Sequence, residues 1–107
     1  MDWGSYTEGG GGEFIDTTDF LLLVKTGETV FLTGIRDGIS NYNNKSQPQY
    51  LVDFTLADGT EKTKGFSKGI TERDVRMERI RETLATTGEP MEARFIKVGR
   101  RNDIAGA

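Results

Sequence analysis

The stretch TVFLTGIRDGISNYNNKSQPQYLVDFTLADGTEKTKGF, residues 29–66, sets the architecture of this chain. Its segments TVFLTGIR and QYLVDFTL alternate apolar with polar or small side chains, which is typical of half-buried β-strands. The pair Asp58-Gly59 then indicates a tight hairpin turn into a third strand, TEKTKGF. Residues 37–48 are polar and lack an apolar period, so they predict a long loop between the first two strands.

A helix and further strand follow this stretch. Residues 71–86, TERDVRMERIRETLAT, place Met77, Ile80 and Leu84 on one stripe, which predicts an amphipathic helix. The segment MEARFIKV, residues 91–98, is a strong strand, and we expect a short closing strand after it. Three strands, a helix and more strand is the order of elements in a small OB-type barrel. We therefore predict a mainly β fold, a five-stranded OB-type barrel with one α-helix between strands 3 and 4.

The length of the chain predicts a single domain with a short extension. Residues 1–13 are acidic and rich in glycine, and we predict a flexible leader because consecutive glycines lose much entropy when they are ordered. Residues 14–107 then form a single OB-like domain. Within it, residues 14–24 are expected to be extended or partly helical. The run Phe20 to Val24 is apolar throughout, so we expect both of its sides to be covered.

The residue types present exclude several kinds of chemistry. The chain has no cysteine and no histidine, which removes disulfides, thiolate chemistry, the usual general base and the commonest transition-metal ligand. The sequence shows no recognisable metal-ligand spacing, phosphate loop or nucleophile elbow. We therefore predict a protein that is not an enzyme and needs no cofactor. No apolar run is long enough to span a bilayer, and the first residues lack the pattern of a signal peptide, so a cytoplasmic location is expected.

The net charge of −3 conceals an asymmetry along the chain. Residues 1–28 hold six acids and one base, which gives −5, whereas residues 29–107 hold thirteen bases and eleven acids, which gives +2. An acidic segment before a mildly basic body points to a polyanionic partner.

Cations and aromatic rings occur where an OB-type barrel binds its ligand, on the second and third strands and in the loops after strands one and four. An unpaired nucleic-acid strand needs cations for its phosphates and flat side chains for its bases. The candidate nucleic-acid-binding residues are Arg36, Tyr42, Lys45, Lys62, Lys64, Phe66, Arg94, Lys97, Arg100 and Arg101. Tyr42 is the best candidate for base stacking, because a core position is hard to arrange in a polar loop. The alternative role for Phe66 is a place in the hydrophobic core. The alternative for Arg100 and Arg101 is that they are ordinary turn residues.

The chain resembles the small OB-fold single-stranded-DNA-binding proteins of bacteriophages. The resemblance covers residues 9–107 and rests on GGGGEFID before a short apolar run, on TGETVFLTGIRDG and QYLVDFTLADGTEKTKGF, and on a helix followed by GEPMEARFIKVGRRNDIAGA. It implies sequence-nonspecific binding of single-stranded DNA in phage-type replication or recombination. Replication or recombination proteins are then implied as further partners.

A different class of function stays open. A structural or assembly module would dock other proteins through the same barrel and through the apolar segment Phe20 to Val24. In that case we expect the chain to form an oligomer whether or not DNA is present. A homo-oligomer is compatible with either function.

Overall fold

The structure, a computed structural model, describes residues 13–42 and 44–106. The elements within these residues are, in order, β1 (Glu13–Phe14), α1 (Thr17–Thr26), β2 (Val30–Tyr42), β3 (Lys45–Thr55), β4 (Glu61–Ser67), α2 (Thr71–Thr87), β5 (Met91–Val98) and β6 (Arg101–Gly106). The predicted leader lies outside the described residues, except for Glu13 at its end.

All of the described strands belong to one mixed sheet with the order β1-β4-β3-β2-β5-β6. β1 runs parallel to β4, and the other neighbours are antiparallel. The mainly β class is confirmed, and α2 lies between the third and fourth of the predicted strands. The sheet has six strands rather than five, because Glu13–Phe14 adds an edge strand. Within the described strands the ladder is open, since β6 pairs with β5 alone.

The sheet is nevertheless strongly curved. In a flat sheet, three inter-strand spacings of about 4.8 Å would separate β4 from β5 by roughly 14 Å. The ring centroids of Phe66 on β4 and Phe95 on β5 are only 6.1 Å apart. The Arg73 guanidinium donates to the carbonyls of Ser67 at 2.7 Å and Asn102 at 2.8 Å. One side chain therefore bridges β4 and β6, and it satisfies carbonyls where the ladder is open.

The loop predicted at residues 37–48 is instead an extension of two strands, so this prediction is wrong. β2 continues to Tyr42 and β3 begins at Lys45, with continuous pairing along the hairpin arm. The chain reverses where Asn44 has a φ of 60°, a left-handed conformation that asparagine tolerates better than most residues. Backbone hydrogen bonds do not depend on side-chain polarity, so an exposed arm pairs without the apolar alternation that the sequence lacks.

The N-terminal apolar run forms α1, of which the sequence indicated only partial helix. Asp16 caps its start, and Gly27 ends it with a φ of 68°, which glycine adopts without strain. Phe20 and Leu23 are buried, whereas Leu21–Leu22 is largely exposed. Positions three apart share one face of a helix, so this run covers one side and leaves the other open. The expectation that both sides are covered is wrong for this reason.

The core lies between the inner face of the curved sheet and the two helices. Its largest fully buried side chains are Phe54, Phe95, Leu32, Met77, Ile104, Val30 and Val52. Phe20 of α1 reaches both halves of the sheet, with its ring centroid 5.0 Å from that of Phe95 and 6.3 Å from that of Phe66. α1 therefore packs across strands that are not neighbours in the ladder, and it stabilises the curvature.

Candidate nucleic-acid interface

The lysines and arginines fall into two groups, those that bond a carboxylate and those that do not. Among the described residues the salt bridges are Arg36–Asp53, Lys62–Glu13, Lys68–Asp37, Arg76–Asp103, Arg81–Asp37 and Arg81–Glu78. Arg73 bonds backbone carbonyls instead. Within residues 13–42 and 44–106, the remaining cations have no carboxylate partner; they are Lys25, Lys45, Lys64, Arg79, Arg94, Lys97, Arg100 and Arg101. A cation of the second group is the better candidate for a phosphate contact, because it gives up no ion pair.

Arg36, a predicted contact, belongs to the first group. Its Nε and Nη2 each lie 2.8 Å from an oxygen of the Asp53 carboxylate, to which the Thr63 hydroxyl also donates at 2.7 Å. Asp53 is 4% exposed, and Thr63 is fully buried. A buried carboxylate is stable only with a cation and hydrogen-bond donors around it. Much of the Arg36 charge therefore serves the fold.

The three candidates on β4 differ in their surroundings. Lys62 lies 3.4 Å from a carboxylate oxygen of Glu13, and the ring of Phe66 is 2% exposed within the core, so it offers no face to a base. The Lys64 ammonium donates to the carbonyl of the next residue at 2.8 Å and lies 4.9 Å from the ring centroid of Phe20. Burial lowers the pKa of Lys64. Lys64 is thus a half-buried cation that no described carboxylate neutralises.

The hairpin of β5 and β6 carries a cluster of exposed cations. Its residues 93–102, ARFIKVGRRN, contain four bases and no acid. The basic residues are Arg94, Lys97, Arg100 and Arg101, and all of them are exposed. Cross-strand partners share a face of the sheet, so Lys97, opposite Asn102, and Arg101, opposite Val98, place cations on both faces.

The remaining two candidates flank the turn of the other long hairpin. Tyr42 and Lys45 are cross-strand partners at the ends of β2 and β3. Lys45 is exposed. The side chain of Tyr42 lies outside the described part of the structure, so its stacking on a base stays a prediction.

A pocket of about 440 Å³ opens where the sheet meets the N-terminal segment. Its lining includes Phe14 from β1, Leu21 from α1, Ile39 from β2, Gln49 from β3, Lys64 from β4 and Asn102 from β6. Phe14 is 61% exposed and Ile39 is 68% exposed. Sequence reasoning missed both residues. At Ile39 the available signal was a large apolar side chain standing alone in a polar segment, whereas Phe14 is followed by the apolar Ile15 and gave no such signal.

A glycine on β4 makes room for one wall of this pocket. A Cβ atom at Gly65 would lie 2.6 Å from the Oε1 atom of Gln49, closer than non-bonded atoms approach. The Gln49 side chain therefore lies across the backbone of Gly65, and both residues line the pocket. Any larger residue at this position would push the amide away.

Two further findings concern metal ligands and membrane-spanning helices, and similarity to known proteins. Among the described residues, no three metal-ligating side chains come together, and neither helix is long and apolar enough to cross a membrane. Comparison with family models, curated proteins and solved structures finds no similar protein. The function is therefore inferred from the geometry and charge of this chain.

Proposed function

We propose that this chain binds single-stranded DNA without sequence preference, as a small OB-type module of phage-type replication or recombination. The observation that carries the proposal is the four-cation hairpin of β5 and β6, next to a pocket with exposed apolar side chains. Phosphates of an unpaired strand are neutralised by such cations, and its unstacked bases cover such side chains. A duplex also presents phosphates to the cations, but its bases stay stacked with one another. It therefore contacts the cationic hairpin and leaves the apolar side chains of the pocket uncovered.

The topology supports the OB-type assignment. Without the edge strand β1, the order is β4-β3-β2-β5-β6 with α2 between β4 and β5. The sheet curvature and the Arg73 bridge bring the two edges together, as expected for a partly open barrel. In such barrels the loops after strands one and four contact oligonucleotides. With β1 left out, strand one of the barrel is β2 and strand four is β5. The two loops are therefore the β2–β3 turn, beside Lys45, and the β5–β6 turn, with Arg100 and Arg101.

The salt dependence of binding tests the proposal quantitatively. Each phosphate neutralised on a single strand contributes about −0.7 to the slope of log K against log salt concentration. If the four hairpin cations each neutralise one phosphate, the slope is about −2.8. The double variant Arg100→Ala/Arg101→Ala should reduce its magnitude by about 1.4. The measurement is a titration of a fluorescein-labelled dT oligonucleotide, and of a duplex of equal length, at several salt concentrations.

A matched control loses the same charge elsewhere. Lys25 and Arg79 are exposed, and neither has a carboxylate partner in the described part of the chain. The double variant Lys25→Ala/Arg79→Ala should keep the wild-type slope. Binding that ignores salt, a preference for the duplex, or equal losses in both double variants would contradict the proposal.

A second function, protein docking, is favoured by one observation. On α1, Leu21 is 44% exposed and Leu22 is 57% exposed, and adjacent exposed leucines are typical of contact surfaces. Sedimentation velocity with and without oligonucleotide separates the two functions. An assembly module forms the same oligomer in both conditions and loses it in Leu22→Asp, whereas a DNA-binding module sediments faster only with DNA.

A further inference from the structure

We infer that the pocket lined by Phe14, Ile39 and Lys64 binds one nucleotide of the single strand, with the base on Phe14 and a phosphate at Lys64. This inference rests on the proposed function. It adds a defined subsite that the N-terminal segment creates together with the sheet. The volume of about 440 Å³ lies within the range of sites for small molecules.

The apolar wall of the pocket is exposed although its backbone is held in place. Phe14 pairs with Thr63 of β4, and the backbone nitrogen of Ile15 donates to the Thr63 carbonyl at 2.9 Å. Ile39 reaches the same pocket from β2, and Leu21 reaches it from α1. Large apolar side chains that meet at one exposed pocket are typical of a ligand site. A flat base removes them from water and stacks on the phenyl ring.

Lys64 supplies a cation whose charge is incompletely compensated. Its ammonium lies over the rings of Phe20 and Phe66, and its hydrogen bond goes to a backbone carbonyl. Removing an ammonium from water without an opposite charge is costly. A phosphate placed at the pocket mouth offsets that cost, so the site favours an anionic nucleotide over a neutral aromatic ligand.

Two amides supply the polar contacts. Gln49 lies across Gly65 at one side, and Asn102 lines the pocket from β6. The Oδ1 atom of Asn102 is buried and has no hydrogen-bond partner among the described residues. An amide both donates and accepts, so it suits the edge of any base. This property agrees with binding that shows little sequence preference.

The pocket also continues into the cationic hairpin. Asn102 is the cross-strand partner of Lys97, and it directly follows Arg101 in the chain. A strand that leaves the pocket past Asn102 therefore meets cations for its next phosphates. The pocket and the cationic hairpin of β5 and β6 thus form one continuous path for a single strand.

The test uses Phe14 as both a binding residue and a reporter. Phe14→Ala should weaken binding of a dT oligonucleotide by about 5- to 150-fold, the cost of one lost base stack. Phe14→Tyr should retain wild-type affinity. Trp3 is the single tryptophan of the chain, so Trp3→Phe/Phe14→Trp carries one indole at the pocket. Its fluorescence should be quenched as the oligonucleotide saturates the protein.

Leu22→Ala is the matched control, because Leu22 is 57% exposed on the neighbouring helix and does not line this pocket. It should bind the oligonucleotide like the wild type. If the wild type binds in a salt-dependent manner while Phe14→Ala keeps full affinity and the indole stays unquenched, the pocket inference is overturned and the proposed function stands. If the wild type binds no single strand at all, the proposed function fails and the inference fails with it. Thermal unfolding shows whether each variant is folded, and the indole reporter keeps the test decisive if Phe14→Ala is not.

Discussion

Replacing Asp37 by asparagine should destabilise the protein at neutral pH and leave its stability unchanged in strong acid. The Asp37 carboxylate accepts hydrogen bonds from Arg81 and from Lys68, each at 2.8 Å. These bonds connect β2 to α2 and to the residue that follows β4. The bond from Arg81, followed by that from Lys68, lowers the pKa of Asp37 from 3.8 to about 2.

The magnitude follows from this pKa. One pKa unit corresponds to about 1.36 kcal/mol, so the full lowering would be worth about 2.4 kcal/mol. The Asp37 side chain is 60% exposed, and solvent screens such pairs, so we expect about 1 kcal/mol. Because the folded-state pKa is below the unfolded value, the contribution is complete above about pH 5. It is lost as the pH falls through about 2.

The assay is urea unfolding of the wild type and of Asp37→Asn at pH 7 and at pH 2. Glu82→Gln is the control, because Glu82 is exposed on α2 and forms no salt bridge with any described residue. Equal stability of the wild type and Asp37→Asn at pH 7 would refute the reasoning. A difference of the same size at both pH values would also refute it, since the ion pairs require the charged carboxylate.

Two other predictions concern the buried Asp53 and Tyr42, which lies beside the turn between β2 and β3. Asp53→Ala should lower the free energy of unfolding by about 3–5 kcal/mol, because it leaves the partly buried Arg36 without its carboxylate; a loss below about 1 kcal/mol in urea unfolding would contradict this. Tyr42→Ala should weaken binding to a dT oligonucleotide by about 1–3 kcal/mol if the ring stacks on a base. Gln47→Ala, on the same hairpin, should bind like the wild type, and equal affinities of all three proteins would remove Tyr42 from the interface.

For function, the most important distinction is between cations that form ion pairs within the fold and cations that have no carboxylate partner. Arg36 and Arg94 look alike in the sequence, since each is a single arginine within a strand. In the folded chain Arg36 bonds Asp53, whereas Arg94 is exposed and has no carboxylate partner among residues 13–42 and 44–106. The pattern of side chains along one strand does not reveal which strand lies beside it. Sequence reasoning therefore grouped both residues as candidate contacts.

The hairpin of β3 and β4 and the helix α2 were predictable because their signals are local. Alternation acts between residues two apart, and the amphipathic stripe acts between residues three or four apart. At Asp58-Gly59, the aspartate carboxylate accepts from the backbone nitrogen of Thr60, and the glycine has a φ of 90°. Such contacts form between residues that are close together in the chain, so the local sequence pattern indicates them.

The pocket and the ion pairs depend on residues that are far apart in the chain. Arg36 and Asp53 are 17 positions apart, and Glu13 and Lys62 are 49 apart. Local periodicity thus indicated the apolar parts of β2, β3 and β5 and the helix α2, and the sequence itself shows the four bases of residues 93–102. The pairing of β1 with β4, the curvature of the sheet and the exposure of Phe14 arose only when distant segments packed together. Backbone pairing and core packing join segments irrespective of their separation, and no short-range pattern encodes their choice of partner.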